Sequence, residues 1–431
     1  MLRIKTIMLI VLINFLFSHS GFSQTAPVDS QKVMQKALRV YMDCDICDMD
    51  YIRTEISYVN YVRDRHDAQV HILITTQSTG SGGTEFTITF LGQQNFAHIN
   101  DTLKYVSEKS ATSDDIRKGL VRSLKLGLVR YVSHTPVADK LSVHFQSQAT
   151  NVKVKDKWNN WVYGISANTF AQGQKSTNTL SIYGRVYANH VTPDWKIRFS
   201  LSGSYNESNF EINDTTTISS FTRSKNVSFS VVKSLTDHWS AALFADYSTS
   251  TYSNLKHRVR LSPAIEYNIF PYSESTRREL RIDYGLRTGY VDYLEKTIYY
   301  KNWEYLNSHY VSVTLSLKQT WGSAQTSIDA SQFLHDLSKN RLQLFSYVQL
   351  RLFSGFSLNI FGNISRIHDQ LGLPLAGASQ EEVLLRRREL ATTYSYFISF
   401  GFSYTFGSIY SNIVNPRFGS GGGGYRFSFS M

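Results

Sequence analysis

Residues 180–189 read LSIYGRVYAN, and apolar side chains alternate with polar ones along this stretch. Successive side chains of a β-strand point to opposite faces, so one face of such a strand is apolar and the other is polar. Residues 196–202, 258–266 and 311–318 repeat the pattern, and we count twelve such stretches between residues 159 and 406. Strands of about ten residues can cross a bilayer. The sequence therefore predicts an antiparallel transmembrane β-barrel of about 12 strands.

The connections between these stretches are expected to differ in length. Tight turns are predicted at residues 192–195, 236–239, 321–322 and 354–355, with a longer turn at 271–276. Longer loops are predicted at residues 206–224, 291–308 and 368–391. Outer-membrane barrels have short turns on the periplasmic side and long loops outside the cell. The short turns are therefore expected to face the periplasm.

Tryptophan positions favour the same orientation. Indole rings prefer the membrane interface, because the ring is apolar and its N–H is polar. Five of the six tryptophans are predicted to lie on the periplasmic rim, and only Trp303 belongs to a predicted outer loop. The five are Trp158, Trp161, Trp195, Trp239 and Trp321.

The first residues have the features of a secretory signal peptide. Arg3 and Lys5 precede an apolar run at residues 7–17, and the small-residue site at 21–23 ends the segment. We expect residues 1–23 to be removed and the protein to reach the outer membrane of a bacterial cell. A nucleic acid is then not expected as a partner. The net charge of +11 falls to +9 when Arg3 and Lys5 are removed, and this excess is interpreted as charge on solvated loops, in the lumen, or in contact with outer-membrane lipid and lipopolysaccharide.

Residues 31–147 are predicted to form a periplasmic α/β domain with the order β-α-β-β-β-α. A helix over about residues 48–63 would bury Ile52, Ile56 and Val59 on one face. Thr112 and Asp115 predict a capping box at the start of the second helix. The glycine-rich residues 80–83 are interpreted as a hairpin turn, because no Lys-Ser/Thr pair follows, as a phosphate-binding loop would require. A strand at residues 141–145 is expected to close the domain.

The barrel is assigned to residues 159–406 and a C-terminal tail to residues 407–431. Residues 425–429, YRFSF, could add a further strand. We keep twelve strands because single-chain bacterial barrels almost always have an even number.

Two resemblances extend this interpretation. The element order of residues 31–147 resembles the N-terminal α/β domain of periplasmic TolB-type proteins. The whole organisation, with DCDICD at residues 43–48 and the stretch 76–84, is similar to uncharacterised outer-membrane β-barrel proteins of Bacteroidetes-type bacteria. A weaker likeness is to salt-induced barrels of unknown function. These resemblances imply a periplasmic interaction domain on a barrel and no particular activity.

Cys44 and Cys47 form a CxxC motif between a strand and a helix. A helix N-terminus would favour a reactive thiolate, but four acidic residues oppose that effect, namely Asp43, Asp45, Asp48 and Asp50. We therefore expect a structural disulfide between Cys44 and Cys47, as suits the oxidising periplasm. Metal binding and redox catalysis remain alternatives, although two cysteines cannot complete a tetrahedral zinc site.

Enzyme activity is a remote alternative, because some outer-membrane barrels are phospholipases or omptin proteases. His335-Asp336 and His368-Asp369 would lie on neighbouring outer loops, where a proton-transfer pair could form. Neither family's motifs occur in the sequence. The triplet 386–388, RRR, is interpreted as a solvated loop, with lipopolysaccharide phosphate contact as the functional alternative. No catalytic residue, metal site or cofactor is assigned.

The alternation also predicts which charged side chains point into the barrel. Buried charges must be paired or hydrated. The predicted inward cations are Arg185, Lys196, Arg198, Arg258, Arg260, Arg281, Arg287, Lys318 and Arg351. The predicted inward anions are Asp246, Glu266, Asp283 and Asp329. This excess of cations would attract anions to an open lumen, whereas full pairing together with Tyr183, Tyr187 and Phe345 would plug it.

The sequence thus leaves two functions open. The first is a narrow pore for small, anionic solutes, whose periplasmic domain gates it or recruits a protein partner. The second is a closed barrel that anchors the periplasmic domain for envelope assembly or adhesion.

Overall fold

The structure, a computed structural model, describes residues 36–142, 156–213, 216–376, 389–415 and 417. The predicted signal peptide, the arginine triplet 386–388, most of the predicted strand 141–145 and the stretch 425–429 lie outside the described residues. Within the described ranges, no helix is long and apolar enough to cross a membrane.

The N-terminal unit is a five-stranded mixed sheet with two α-helices. Its elements are β1 Arg39–Asp43, α1 Met49–Glu55, β2 Asn60–Tyr61, β3 Val70–Ser78, β4 Thr84–Gly92, β5 Asn100–Ser107 and α2 Ser113–Val132. The strands lie in the order β2-β1-β3-β4-β5. β1 runs parallel to β2 and β3, and the remaining neighbours are antiparallel. The structure confirms the predicted capping box, in which Thr112 and Asp115 bond each other's backbone N–H.

Both helices cover one face of this small sheet. Ile52 of α1 and Leu124 and Leu128 of α2 are buried in one cluster with Ile72 and Ile88 of the sheet. Burial of each such side chain contributes about 1.5–3 kcal/mol. The buried face of α2 is therefore the surface that closes the core.

The first helix is shorter than predicted. It ends at Glu55, because the residues that follow leave the helix to extend the sheet. The Asn60 N–H donates to the Leu38 carbonyl at 2.8 Å, and the Val62 N–H donates to the Val40 carbonyl at 2.9 Å. Val59 is buried as predicted, but it lies beyond the helix.

Among the described residues from 161 to 404, the chain forms one antiparallel sheet of twelve strands in sequence order, as the alternation predicts. Its strands are β6 Trp161–Gln174, β7 Thr177–Val191, β8 Trp195–Asn213, β9 Thr216–Ser234, β10 Trp239–Ser250, β11 Leu255–Asn268, β12 Arg278–Tyr293, β13 Trp303–Gln319, β14 Gly322–Phe333, β15 Asn340–Phe353, β16 Phe356–Ile367 and β17 Tyr394–Tyr404. β6 and β17 are the edge strands, and they run in opposite directions.

Two predicted outer loops are corrected. Most of residues 206–224 belongs to β8 and β9, which stay paired from Trp195↔Lys233 to Asn213↔Thr216. The polar side chains there resemble a loop, but Thr and Ile suit a pleated strand. The loop predicted at 291–308 is reduced to residues 294–302, because β12 and β13 extend into it.

The sheet has two ends, which we name by their connections. The docking rim consists of residues 192–194, 235–238, 269–277, 320–321 and 354–355. The loop rim consists of residues 175–176, 251–254, 294–302, 334–339, 368–376 and 389–393. Trp161, Trp195, Trp239 and Trp321 lie at the docking rim, whereas Trp303 starts β13 at the loop rim.

The second face of the small sheet lies against the docking rim. His71, Thr75, Thr87 and Thr89 on this face are all buried, although α1 and α2 cover the opposite face. Thr87 and Thr89 line a cavity of about 660 Å³ together with residues 272–278. The small sheet is therefore enclosed between its own helices and the end of the large sheet.

Part of the predicted C-terminal tail also joins the small sheet. The Arg63 N–H donates to the Ile409 carbonyl at 2.8 Å, and the Ser411 N–H donates to the Tyr61 carbonyl at 2.9 Å. Asn412 Oδ1 accepts from the Tyr61 N–H at 2.6 Å. Residues 409–412 thus cover the edge of β2.

Candidate functional site

A basic cavity lies on one face of the large sheet. This central cavity, of about 550 Å³, is lined by residues from β7 to β13. A face to which seven successive strands contribute must be concave. Six of the predicted inward charges line it, namely Arg185, Arg198, Asp246, Arg258, Arg260 and Arg287.

A second cavity, the loop-side cavity, lies between the central cavity and the loop rim. It has a volume of about 430 Å³ and is lined by residues of β9 to β15 and by the loop residues Asp369 to Gly372. Asn226, Arg258, Arg260 and Arg287 line both cavities. The two cavities therefore meet at a floor of three arginines and an amide.

One of these arginines is neutralised by a carboxylate. Arg260 Nε donates to Asp246 Oδ1 at 2.8 Å, and the two residues are directly opposite each other on β11 and β10. Oppositely charged side chains at such positions attract one another across a sheet. This pair contributes little net charge to the cavity wall.

The other cavity arginines form no ion pair with a carboxylate in the described ranges. Arg185 Nε donates to Ser200 Oγ at 3.0 Å, and the Arg287 guanidinium lies 4.0 Å from the centre of the Tyr310 ring. Arg258 Nε is buried and has no protein partner among the described residues. Arg198 lines the wall beside them. The central cavity therefore carries an excess of positive charge.

The predicted charges nearer the docking rim form a separate, mostly paired network. Arg281 Nε lies 3.1 Å from Asp283 Oδ2 and 3.4 Å from Glu266 Oε2. Arg281 Nη1 lies 2.9 Å from Glu279 Oε1. The Tyr272 hydroxyl donates to Glu266. Glu279 is absent from the predicted set, although it shares the strand face of Arg281 and Asp283, so the alternation could have identified it.

The remaining predicted inward residues are dispersed. Asp329 accepts hydrogen bonds from Ser312 Oγ at 2.6 Å and from Ser327 Oγ at 3.1 Å. Lys196 on β8 and Lys318 on β13 form no ion pair in the part of the chain that the structure describes. These three residues do not line the two basic cavities.

Arg351 has a different role from the one expected. Its partner is Asp43 at the end of β1, which accepts from Nη1 at 2.5 Å and from Nη2 at 2.7 Å. His71 Nε2 lies 3.2 Å from the same carboxylate. Burial raises the pKa of Asp43. The hydrogen bonds from His71 and Arg351 lower this pKa by a larger amount, so the net pKa is below that of an ordinary aspartate.

A second carboxylate joins the small sheet to the same turn. Asp64 Oδ2 accepts from the Gly355 N–H at 2.7 Å, and Arg65 Nη2 donates to the Arg351 carbonyl at 3.3 Å. Burial raises the pKa of Asp64, but hydrogen bonds from the His66 and Gly355 backbone N–H groups lower it below its ordinary value. The β15–β16 turn is thus held by two carboxylates of the N-terminal unit.

At the opposite end, a loop segment covers the loop-side cavity. The Ile298 N–H donates to the Leu373 carbonyl at 2.8 Å, and the Leu375 N–H donates to the Lys296 carbonyl at 2.7 Å. Asn254 Nδ2 donates to the Gly372 carbonyl at 2.9 Å. We name residues 369–375 the roof segment. Its backbone bonds to two other connections of the loop rim hold it across the cavity.

One ion pair ties the roof segment to the cavity wall. Arg341 Nε lies 3.0 Å from each carboxylate oxygen of Asp369. Arg341 belongs to β15, and its partner follows β16 by two residues. Neither residue belongs to the predicted set of inward charges. Asp369 lies in a loop, which has no strand face from which the direction of its side chain could be inferred.

The CxxC motif and the aspartates of the two His-Asp motifs have structural partners. Cys44 and Cys47 are joined by a disulfide in the structure. Asp336 accepts from the Ser338 N–H at 2.9 Å and the Ser338 hydroxyl at 2.6 Å, and Asp369 is engaged by Arg341. Within the described ranges, no cluster of three His, Cys, Asp or Glu side chains could hold a metal ion.

Comparison with known proteins adds no assignment. No protein family matches the sequence, and no curated protein resembles it.

Proposed function

We propose that this protein is an outer-membrane β-barrel that passes small anionic solutes, with its N-terminal unit at the periplasmic mouth. The observation that carries the proposal is the pair of connected cavities whose floor holds Arg258 and Arg287 without a carboxylate partner among the described residues. Positive potential in a confined, low-dielectric channel concentrates anions.

The surface of the large sheet supports a membrane location. Each of its twelve strands exposes at least one large apolar side chain. Ile165 on β6 is 84% exposed, and Val259 and Leu261 on β11 are 52% and 43% exposed. A soluble protein rarely exposes a continuous apolar surface of this extent. Lipid tails would cover these side chains.

Closure into a barrel follows from the same requirement. The edge strands β6 and β17 run in opposite directions, so they can pair in the antiparallel sense. Unpaired backbone groups cannot remain in a bilayer, which is why membrane sheets close on themselves. In this proposal β6 and β17 pair in the membrane.

The orientation rests on the docking rim. Most of its connections are short, which is typical of the periplasmic side. Four tryptophans lie beside it, as is typical of a membrane–water interface. The N-terminal unit, which contacts this rim, would then occupy the periplasm. An exported location also suits the disulfide.

A specific observation favours the closed-anchor alternative. The small sheet covers the docking rim, and the roof segment covers the loop-side cavity, so both ends of the interior are obstructed. In an anchor these contacts would be permanent, and in a pore they would open. The two functions therefore differ in whether solutes cross the folded protein.

Liposome swelling tests the proposal directly. Purified full-length protein is placed in vesicles, and swelling rates are compared for gluconate, glucose and glucosamine, which differ mainly in charge. We expect gluconate to enter fastest and glucosamine slowest. Replacing both Arg258 and Arg287 by Glu should reverse the order, whereas Lys256→Glu, at an exposed site outside both cavities, should not. Folded protein that admits none of the three would exclude a pore and favour the anchor.

A further inference from the structure

We propose that the loop-side cavity binds a small phosphate monoester carrying several hydroxyl groups, such as a phosphorylated sugar. This inference rests on the proposed function, because it takes the bound molecule to be a solute that the barrel passes. It goes further by assigning one chemical class to one cavity.

The charge of the cavity floor matches that of a phosphate monoester. The Asp246 carboxylate balances Arg260, and Asp369 balances Arg341 at the roof. Arg258 and Arg287 have no carboxylate within ion-pair distance among the described residues, so the floor carries two unbalanced guanidinium groups. A phosphate monoester carries about −1.5 to −2 charge near pH 7.

The donor atoms at the floor also fit a phosphoryl group. Asn226, Ser248 and Arg258 are direct cross-strand neighbours on β9, β10 and β11. Their amide, hydroxyl and guanidinium groups therefore form a short row on the floor of the cavity. Guanidinium groups bind phosphate oxygens through parallel N–H donors.

Two donors in this row lack partners. Ser248 is only 7% exposed, and neither its Oγ nor Arg258 Nε has a hydrogen-bond partner among the described residues. Buried polar groups are nearly always satisfied in folded proteins. Both residues line the loop-side cavity, so a hydrogen-bond acceptor in that cavity would satisfy both donors.

The remainder of the cavity suits a polyol rather than a bare anion. Ser308 and Ser331 provide hydroxyl groups, and Tyr293, Phe333 and Leu371 provide an apolar wall. A sugar presents hydroxyl groups at its edges and C–H groups on its faces. A volume of about 430 Å³ is within the range of small-molecule sites, about 300–1,000 Å³.

The experiment is calorimetric titration of the full-length protein in detergent with glucose 6-phosphate, inorganic phosphate, glucose and succinate. Glucose 6-phosphate is expected to bind at least about tenfold more tightly than the other three, since only it uses both the floor and the walls. Replacing Arg258 and Arg287 together by Gln should weaken it roughly a hundredfold, and Ser248→Ala roughly fivefold. Lys256→Gln removes one charge on the same strand and should leave the affinity unchanged.

The results separate this inference from the proposed function. Equal affinity for inorganic phosphate or succinate, full affinity in the arginine double variant, or no binding of glucose 6-phosphate to folded protein would overturn it. Anion-selective swelling without glucose 6-phosphate binding would leave the pore and remove the site. Binding without any swelling would leave the site and remove the pore.

Discussion

Arg351 and Asp43, which are 308 positions apart in the sequence, form a bidentate ion pair with N–O distances of 2.5 Å and 2.7 Å. Their side chains are only 20% and 11% exposed. Charge-assisted bidentate pairs are among the stronger polar contacts in proteins. The pair joins β1 of the small sheet to β15 of the large sheet, and so connects the N-terminal unit to the mouth of the basic interior.

Removing one partner should release the N-terminal unit from the docking rim. Asp43→Asn leaves Arg351 charged and partly buried, which we expect to cost about 3 kcal/mol of docking free energy. Hydrogen exchange at residues 409–412, which pair with the unit, should accelerate. The matched control is Glu108→Gln, at an exposed carboxylate of the same unit. Unchanged exchange in Asp43→Asn would show that this pair does not hold the interface.

Docking should weaken in acid. The pKa values of Asp43 and Asp64 lie below their ordinary value of 3.8. Part of this lowering comes from Arg351 and from the Gly355 N–H, which belong to the large sheet and its docking rim, so both carboxylates bind protons less readily when docked. Their contribution is fully present above about pH 3.8 and is lost as the pH falls through the lower docked values. Energy transfer between dyes at Lys118→Cys and Lys301→Cys should fall over that acidic range.

The same dyes in an Asp43→Asn background provide the control. That variant should lose part of the pH dependence, because one of the two titrating groups is gone. Docking that strengthened as the pH fell below 3.8 would contradict the assigned pKa directions.

The disulfide is expected to stabilise the N-terminal unit without binding metal. It closes a loop with a sequence separation of 3, for which chain entropy predicts about 2 kcal/mol of stability. Replacing Cys44 and Cys47 together by Ala should lower the unfolding free energy by about that amount, as measured by denaturant titration. A chelator should leave the wild-type protein unaffected. A stability loss with chelator would instead favour the metal interpretation.

Opening of the roof segment should depend on Arg341 and Asp369. These side chains are 37% and 18% exposed, so the pair is expected to contribute about 1 kcal/mol. Arg341→Gln should then increase the open population roughly fivefold. Maleimide labelling of Leu371→Cys, at a buried position of the roof, reports this opening. Equal labelling rates with and without Arg341→Gln would mean that other contacts hold the roof.

The sequence predicts strands better than it predicts their partners. Alternation over residues such as 180–189 depends only on neighbouring side chains, and it predicted twelve strands in one antiparallel sheet. The short strand β2 was missed because its pairing with β1 is a long-range contact, and residues 57–63 were assigned to the preceding helix. The polar hairpin around residues 206–224 was missed because cross-strand bonding, rather than apolar alternation, extends it.

In the candidate site too, the sequence predicted the strand faces but not the long-range contacts. The alternation placed Arg258, Arg260 and Arg287 on one face, and all three line the basic cavities. It could not predict that Arg351 pairs with Asp43 or that Asp369 reaches back to Arg341. Those contacts join different structural units or involve a loop, for which no strand periodicity exists.

In the proposed function, anions pass through the basic interior. The most direct test is the reversal potential of the purified, full-length protein in a planar bilayer under a dilute KCl gradient, where electrostatic screening is weakest. We predict discrete conductance steps whose reversal potential has the sign of chloride selectivity, and loss of that selectivity when Arg258 and Arg287 are both replaced by Gln. A cation-selective reversal potential, or folded protein that stays electrically silent even with Asp43→Asn, would contradict the claim.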